Sequence, residues 1–164
     1  MQNTHIHEIE LYLPEIFKTM VDHEVNRSRR YGDSLTLANL IVDTDPVDEE
    51  AQHRAEVFTT NKLNLQLRET DIPCKKGNEF LILMPATGAQ GARTACERLR
   101  RLLTTEQQTN DGVSFKMVSF IGLATLPIDR SVSSDGLVQN ASKALQHART
   151  NRLARVVSFS EIKE

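Results

Sequence analysis

The sequence predicts an α/β sandwich in which helices cover the faces of a mainly antiparallel sheet. Three observations carry this reading. Four segments show the three-and-four spacing of amphipathic helices, apolar runs of strand length lie between them, and Gly77-Asn78 punctuates two such runs as a hairpin turn. Residues 13–30 read as the first helix through Leu13, Phe17, Met20, Val21 and Val25, closed by basic residues and Gly32. Residues 35–42 are nearly all apolar and end in Asp43, a buried strand that delivers an acid at its C-terminal end. Asp45-Pro46 breaks the chain, and 47–69 reads as a second helix through Ala51, Ala55, Phe58, Leu63 and Leu67. The hairpin spans 73–85, the third helix 89–103 and a strand 113–124. The fourth helix spans 132–149, and 156–159 supplies the last strand.

Length and composition narrow the class. The 164 residues suit one domain, 1–164, with 1–12 as a loosely ordered N-terminal segment. Lys and Arg total 20 against 22 Asp and Glu, a balance that argues against DNA or RNA binding through bulk charge. The longest apolar stretch, 80–85, is far short of the ~20 residues a membrane span needs, and the N-terminus lacks a secretory pattern. Cys74 and Cys96 make no disulfide framework or zinc pattern and suit a reducing, cytoplasmic setting.

Several polar residues have ordinary readings. His5 and His7 fall in a terminal tail, and His23, His53 and His147 have no zinc spacing. Ser119 has no His/Asp arrangement around it, Cys74 reads as a strand cysteine beside Lys75 and Lys76, and Arg27 to Arg30 read as a solvated helix end.

Five segments in order resemble the GGDEF family, the diguanylate cyclases. They are 23–32, 35–45, the hairpin with its upstream helix end (67–85), 91–100, and the pair 119–124 with 141–157. The resemblance implies a ferredoxin-like core related to nucleotidyl cyclases, bacterial origin and a place in cyclic di-GMP signalling. It also implies an active site in which Mg²⁺ bridges GTP phosphates, held between a strand-end Asp and the acidic third letter of Gly-Gly-Asp-Glu-Phe.

The matching positions depart from that pattern. Asp43 keeps the strand-end acid, but the signature reads Lys76-Gly77-Asn78-Glu79-Phe80. A lysine stands where backbone should approach phosphates, and neutral Asn78 replaces the acidic ligand, leaving Glu79 alone. Pro46-Val47-Asp48-Glu49-Glu50 replaces the segment that reads guanine, and the family's phosphate-binding Lys becomes Arg149. Leu153 falls where a second cation belongs unless Arg152 or Arg155 substitutes. These departures describe a degenerate domain with vestigial Asn78, Glu79 and Asp43, no cofactor and no cyclase activity. In the alternative reading, an active diguanylate cyclase, Asp43 and Glu79 would hold Mg²⁺.

The resemblance also points to a second site. The family's product-inhibition motif is Arg-x-x-Asp ahead of the hairpin, and Arg68 and Asp71 match it, with four residues between Asp71 and Lys76 where the family usually has five. Arg98 matches the arginine the family adds from the next helix. Guanidinium forks grip guanine edges or phosphates, and a carboxylate accepts from guanine N–H groups. The expectation is a cyclic di-GMP receptor, a protein-interaction module, or both, with another signalling protein or a second copy as further partners.

Overall fold

The computed structural model describes residues 11–127 and 131–162. Elements follow in the order α1 (Pro14–Tyr31), β1 (Leu35–Asp45), α2 (Glu49–Gln66), β2 (Ile72–Lys76), β3 (Glu79–Pro85), α3 (Ala89–Leu103), β4 (Thr105–Gln108), β5 (Ser114–Thr125), α4 (Ser134–Thr150) and β6 (Val157–Ser158). The sheet runs β2-β3-β1-β5-β4, all antiparallel, and β6 adds in parallel to β5. This is the mixed, mainly antiparallel sandwich expected. The predicted order lacked β4, whose Thr-Glu-Gln-Gln sequence has no apolar alternation because it forms a half-exposed edge paired only with β5.

Strand alternation sorts the core into two faces. Ala38, Leu40, Val42, Phe80, Ile82 and Met84 pack with Ala51, Ala55 and Leu63 of α2 and with Ala92, Cys96, Leu99 and Leu103 of α3. Leu35, Leu37, Leu81 and Leu83 face Phe17, Val21 and Val25 of α1 and Leu137 and Ala141 of α4, while Ile41 and Phe120 meet Ala144, Leu145 and Ala148. α4 presses so closely on β5 that a Cβ on Gly122 would lie 2.2 Å from the Leu145 nitrogen.

Helix ends explain where the sequence reading shifts. Asp48 caps α2, its carboxylate accepting from the Ala51 N–H at 3.0 Å. α2 stops at Gln66, three residues before the predicted end. The Arg68 N–H donates to the Asp71 carboxylate at 2.9 Å, a local alternative to the next helical bond. Ser133 caps α4 by accepting from Gly136 N–H at 3.0 Å. Gly77 takes φ 61° at the first of the two hairpin turn positions, with Lys76 and Glu79 paired across it.

At the N-terminus, Tyr12 departs from the loose segment expected for 1–12. Its N–H donates to the Pro73 carbonyl at 3.0 Å, forming a parallel bridge against the edge strand β2. Residues 1–10, including His5 and His7, lie outside the described residues. No helix among the described residues is long and apolar enough to cross a membrane.

Candidate functional site

Two cavities hold most of the residues singled out by sequence, one on the α2–α3 face of the sheet and one at the C-terminal end of β1. The first, about 250 Å³, lies between the turn after α2, the outer end of β3 and the start of α3. Arg68, Asp71 and Arg98 all border it. Its floor is apolar (Leu67, Ile82, Met84, Leu99), and its rim is polar. Arg68 and Asp71 meet through a tight turn rather than along a helix face. The Asp71 N–H donates to the Arg68 carbonyl at 3.0 Å, while the Asp71 carboxylate accepts from the Arg68 N–H and, at 3.4 Å, from its guanidinium. Asp71 is thus 7% exposed, whereas the Arg68 side chain is 57% exposed.

Thr87 completes this rim and was not singled out from sequence. Its hydroxyl donates to the Pro85 carbonyl at 2.9 Å and accepts from the Arg68 guanidinium, and its own carbonyl accepts from Thr36 Oγ1 at 2.9 Å. The arginine is therefore tethered to the rigid end of β3. Thr87 precedes the Gly88 N-cap of α3, and no local pattern in the sequence marks it. Cys96 lies at the cavity base. Burial first, then the Asp71 and Glu97 charges, push its thiol up to about 12, so it stays a thiol. Behind it, burial alone would raise the Glu97 carboxyl. Donation from the Val156 N–H and from Arg100 outweighs that and holds it below the usual range.

The second cavity, about 750 Å³, opens at the C-terminal end of β1 and includes Asp43, Asp45, Asn78, Arg149 and Arg152. β1 outlasts β3: its last pair with β3 is Ile41 with Glu79, while pairing with β5 continues to Asp45. That offset brings Asp43 and Asn78 to one cavity. Glu79 does not line it, and Lys76 turns to the groove between α1 and α4. Arg149, in the last turn of α4, grips Asp43 with both ends of its fork. Nε donates to Oδ2 at 3.1 Å and Nη2 to Oδ1 at 2.8 Å. Arg152 stands 3.8 Å from the same carboxylate, over the Phe120 ring. Arg155 pairs with Glu161 instead.

Other candidates are tied into the fold. Ser119 donates to the Arg100 carbonyl at 2.9 Å, and the Arg27 guanidinium lies 3.5 Å from Glu24. Gln52, Gln146 and Thr150 also line the Asp43 cavity, and no local pattern in the sequence marks them.

The sequence profile described as "Diguanylate cyclase, GGDEF domain" matches residues 57–155. The chain belongs to the GGDEF family. No curated protein sequence matches it. Among solved structures, this GGDEF domain is similar to that of DgcB from Caulobacter crescentus in complex with c-di-GMP. The TM-score is 0.84 at 16% identity, over 92% of this chain and 90% of that one. It also resembles the diguanylate cyclase SiaD from Pseudomonas aeruginosa in complex with its activator SiaC, with a TM-score of 0.80 at 26% identity. That match covers 90% of this chain and 58% of that one. The active GGEEF domain of a diguanylate cyclase from Vibrio cholerae gives a TM-score of 0.79 at 13% identity, over 92% and 98%.

The family's Mg²⁺ can be tested against the donor atoms present. Magnesium demands several hard oxygens in near-octahedral geometry, usually from one or two carboxylates. Here both oxygens of Asp43 already accept from Arg149, Asp45 adds a second carboxylate only at the exposed end of β1, Asn78 offers a neutral amide, and Glu79 does not line the cavity. Among the described residues no group of three or more His, Cys, Asp or Glu could hold a metal ion. The residues do not fit the ion.

Proposed function

We propose that this GGDEF domain is a non-catalytic receptor for cyclic di-GMP, with Arg68, Asp71 and Arg98 as its ligand-binding residues. The observation that carries the reading is that all three border one cavity on the α2–α3 face. The exposed arginines supply fork donors for guanine O6 and N7 or for phosphate oxygens, and a carboxylate can accept from a guanine N–H. The apolar floor gives a base face something to lie against, as in most small-molecule sites. A domain of the same fold, that of DgcB, is known in complex with c-di-GMP.

Loss of the cyclase reaction rests on the other cavity. Phosphoryl transfer between nucleotides depends on metal ions that neutralise developing phosphate charge, and Asp43 is committed to Arg149 while Asn78 brings no charge. Neither Asn78 nor Glu79 then has catalytic work, and Arg149 serves Asp43 rather than a phosphate.

Calorimetric titration with cyclic di-GMP tests the receptor. Binding is expected within ~100 μM, equivalent to about −5.5 kcal/mol or tighter. Arg68→Ala and Arg98→Ala should each weaken it about ten- to a hundredfold, the range for hydrogen bonds to a charged group. No heat at that concentration, or full affinity in Arg68→Ala, overturns the receptor. Conversion of GTP by the pure protein with Mg²⁺ or Mn²⁺ overturns the non-catalytic half.

A further inference from the structure

We propose that Arg149 is the resident cation of the Asp43 cavity. Its guanidinium occupies the coordination positions of Asp43, keeps the cavity metal-independent, and ties the end of β1 to the end of α4. The inference deepens the non-catalytic half of the proposed function and is separate from the receptor half, which concerns the cavity on the α2–α3 face.

Geometry is the first support. Two N–H groups of one guanidinium, at 3.1 and 2.8 Å, take one oxygen each from Asp43. This bidentate fork is the strongest hydrogen-bonded arrangement available to a carboxylate. It engages both oxygens and sets a positive charge against the carboxylate, so an incoming cation must compete with the arginine for Asp43. Asp43 is only 25% exposed on its side chain, and the attraction is therefore less screened than on an open surface.

Charge balance is the second support. The cavity is lined by two acids, Asp43 and Asp45, and two cations, Arg149 and Arg152; its other polar side chains are neutral hydroxyls and amides. The charges already cancel. A divalent ion would bring two further positive charges to a neutral cavity, and Arg152, 3.8 Å from Asp43, would remain to repel it after Arg149 had moved. Arg149 itself sits in the last turn of α4, where the helix dipole favours a cation. The Arg152 guanidinium carbon lies 5.0 Å from the Phe120 ring centre, a contact that keeps the second cation beside Asp43.

The test is Mn²⁺ titration followed by paramagnetic broadening of backbone amide resonances, with the dispersion of the spectrum reporting the fold. In the wild-type protein no broadening centred on Asp43, Thr44 and Asn78 is expected up to ~1 mM Mn²⁺, a concentration that reveals only affinities of about −4 kcal/mol or better. Arg149→Met/Arg152→Met should acquire such broadening with at least a ~tenfold gain in apparent affinity, since two repelling charges are gone. Adding Asp43→Asn to that variant should abolish it. Where the double variant does not fold, Arg149→Lys keeps the charge but loses the fork and must still show a measurable gain. Selective broadening in the wild type that Asp43→Asn removes overturns the proposal. So does a folded double variant, or a folded Arg149→Lys, with no gain over wild type.

Discussion

Replacing Gly122 by alanine probes how the packing of α4 positions the Asp43 cavity. The added Cβ would lie 2.2 Å from the Leu145 nitrogen, 2.6 Å from the Ala144 carbonyl carbon and 2.7 Å from the Ala141 oxygen. All three are backbone atoms, so no side chain can rotate away. Ordinary contact distance is about 3.5 Å, and the helix must therefore retreat from β5 by roughly 1 Å. Overpacking typically costs 1–3 kcal/mol, and a rigid helix backbone places this substitution at about 3 kcal/mol. For a domain of this size each kcal/mol lowers Tm by about 2–4 °C, giving a fall of ~6–12 °C in thermal denaturation followed by circular dichroism. Because α4 carries Arg149, the displacement also loosens the hold on Asp43. The cavity with Arg68 lies across the sheet and should keep its ligand affinity. A Tm within ~2 °C of wild type would refute the reasoning.

Three further outcomes are expected. Thr87→Val removes the hydroxyl that holds the Arg68 guanidinium while keeping the volume, and should weaken cyclic di-GMP binding about three- to tenfold in a calorimetric titration, with Thr87→Ser near wild type. Asn39 is 1% exposed and its side-chain carbonyl oxygen has no hydrogen-bond partner among the described residues, so Asn39→Leu should leave stability unchanged or raise it by about 1 kcal/mol in urea denaturation. Cys96 ionises near 9 when unfolded and about 12 when folded, so the unfolded chain loses its proton first and stability falls as pH rises from about 9 towards 12. Cys96→Ala should flatten that part of the pH–stability curve.

Much of the architecture was legible because burial imposes periodicity. Phe17, Val21 and Val25 in α1, and Leu137, Ala141 and Ala144 in α4, repeat at helical spacing because each faces the sheet. β4 left no such trace: an edge strand packed on one side only needs no apolar alternation. The early end of α2 was hidden because it depends on a hydrogen bond from Arg68 to Asp71 that periodicity does not record. The same bond brings Arg68 and Asp71 together in a turn. Asp43 and Asn78 could be paired in advance only through the family resemblance. That Arg149 would close on Asp43 depends on α4 meeting β1 across 106 residues of chain, which no local pattern encodes. Thr87, Gln52 and Gln146 escaped notice for the same reason: cavity walls are assembled by topology.

The location of bound cyclic di-GMP is the most direct test of the account. Amide shift changes on titrating the isotope-labelled domain should cluster at 68–71, around Thr87 and along 91–99, and leave Asp43, Asn78 and Arg149 unmoved. Changes confined to the Asp43 cavity, or none at saturating nucleotide, would contradict it.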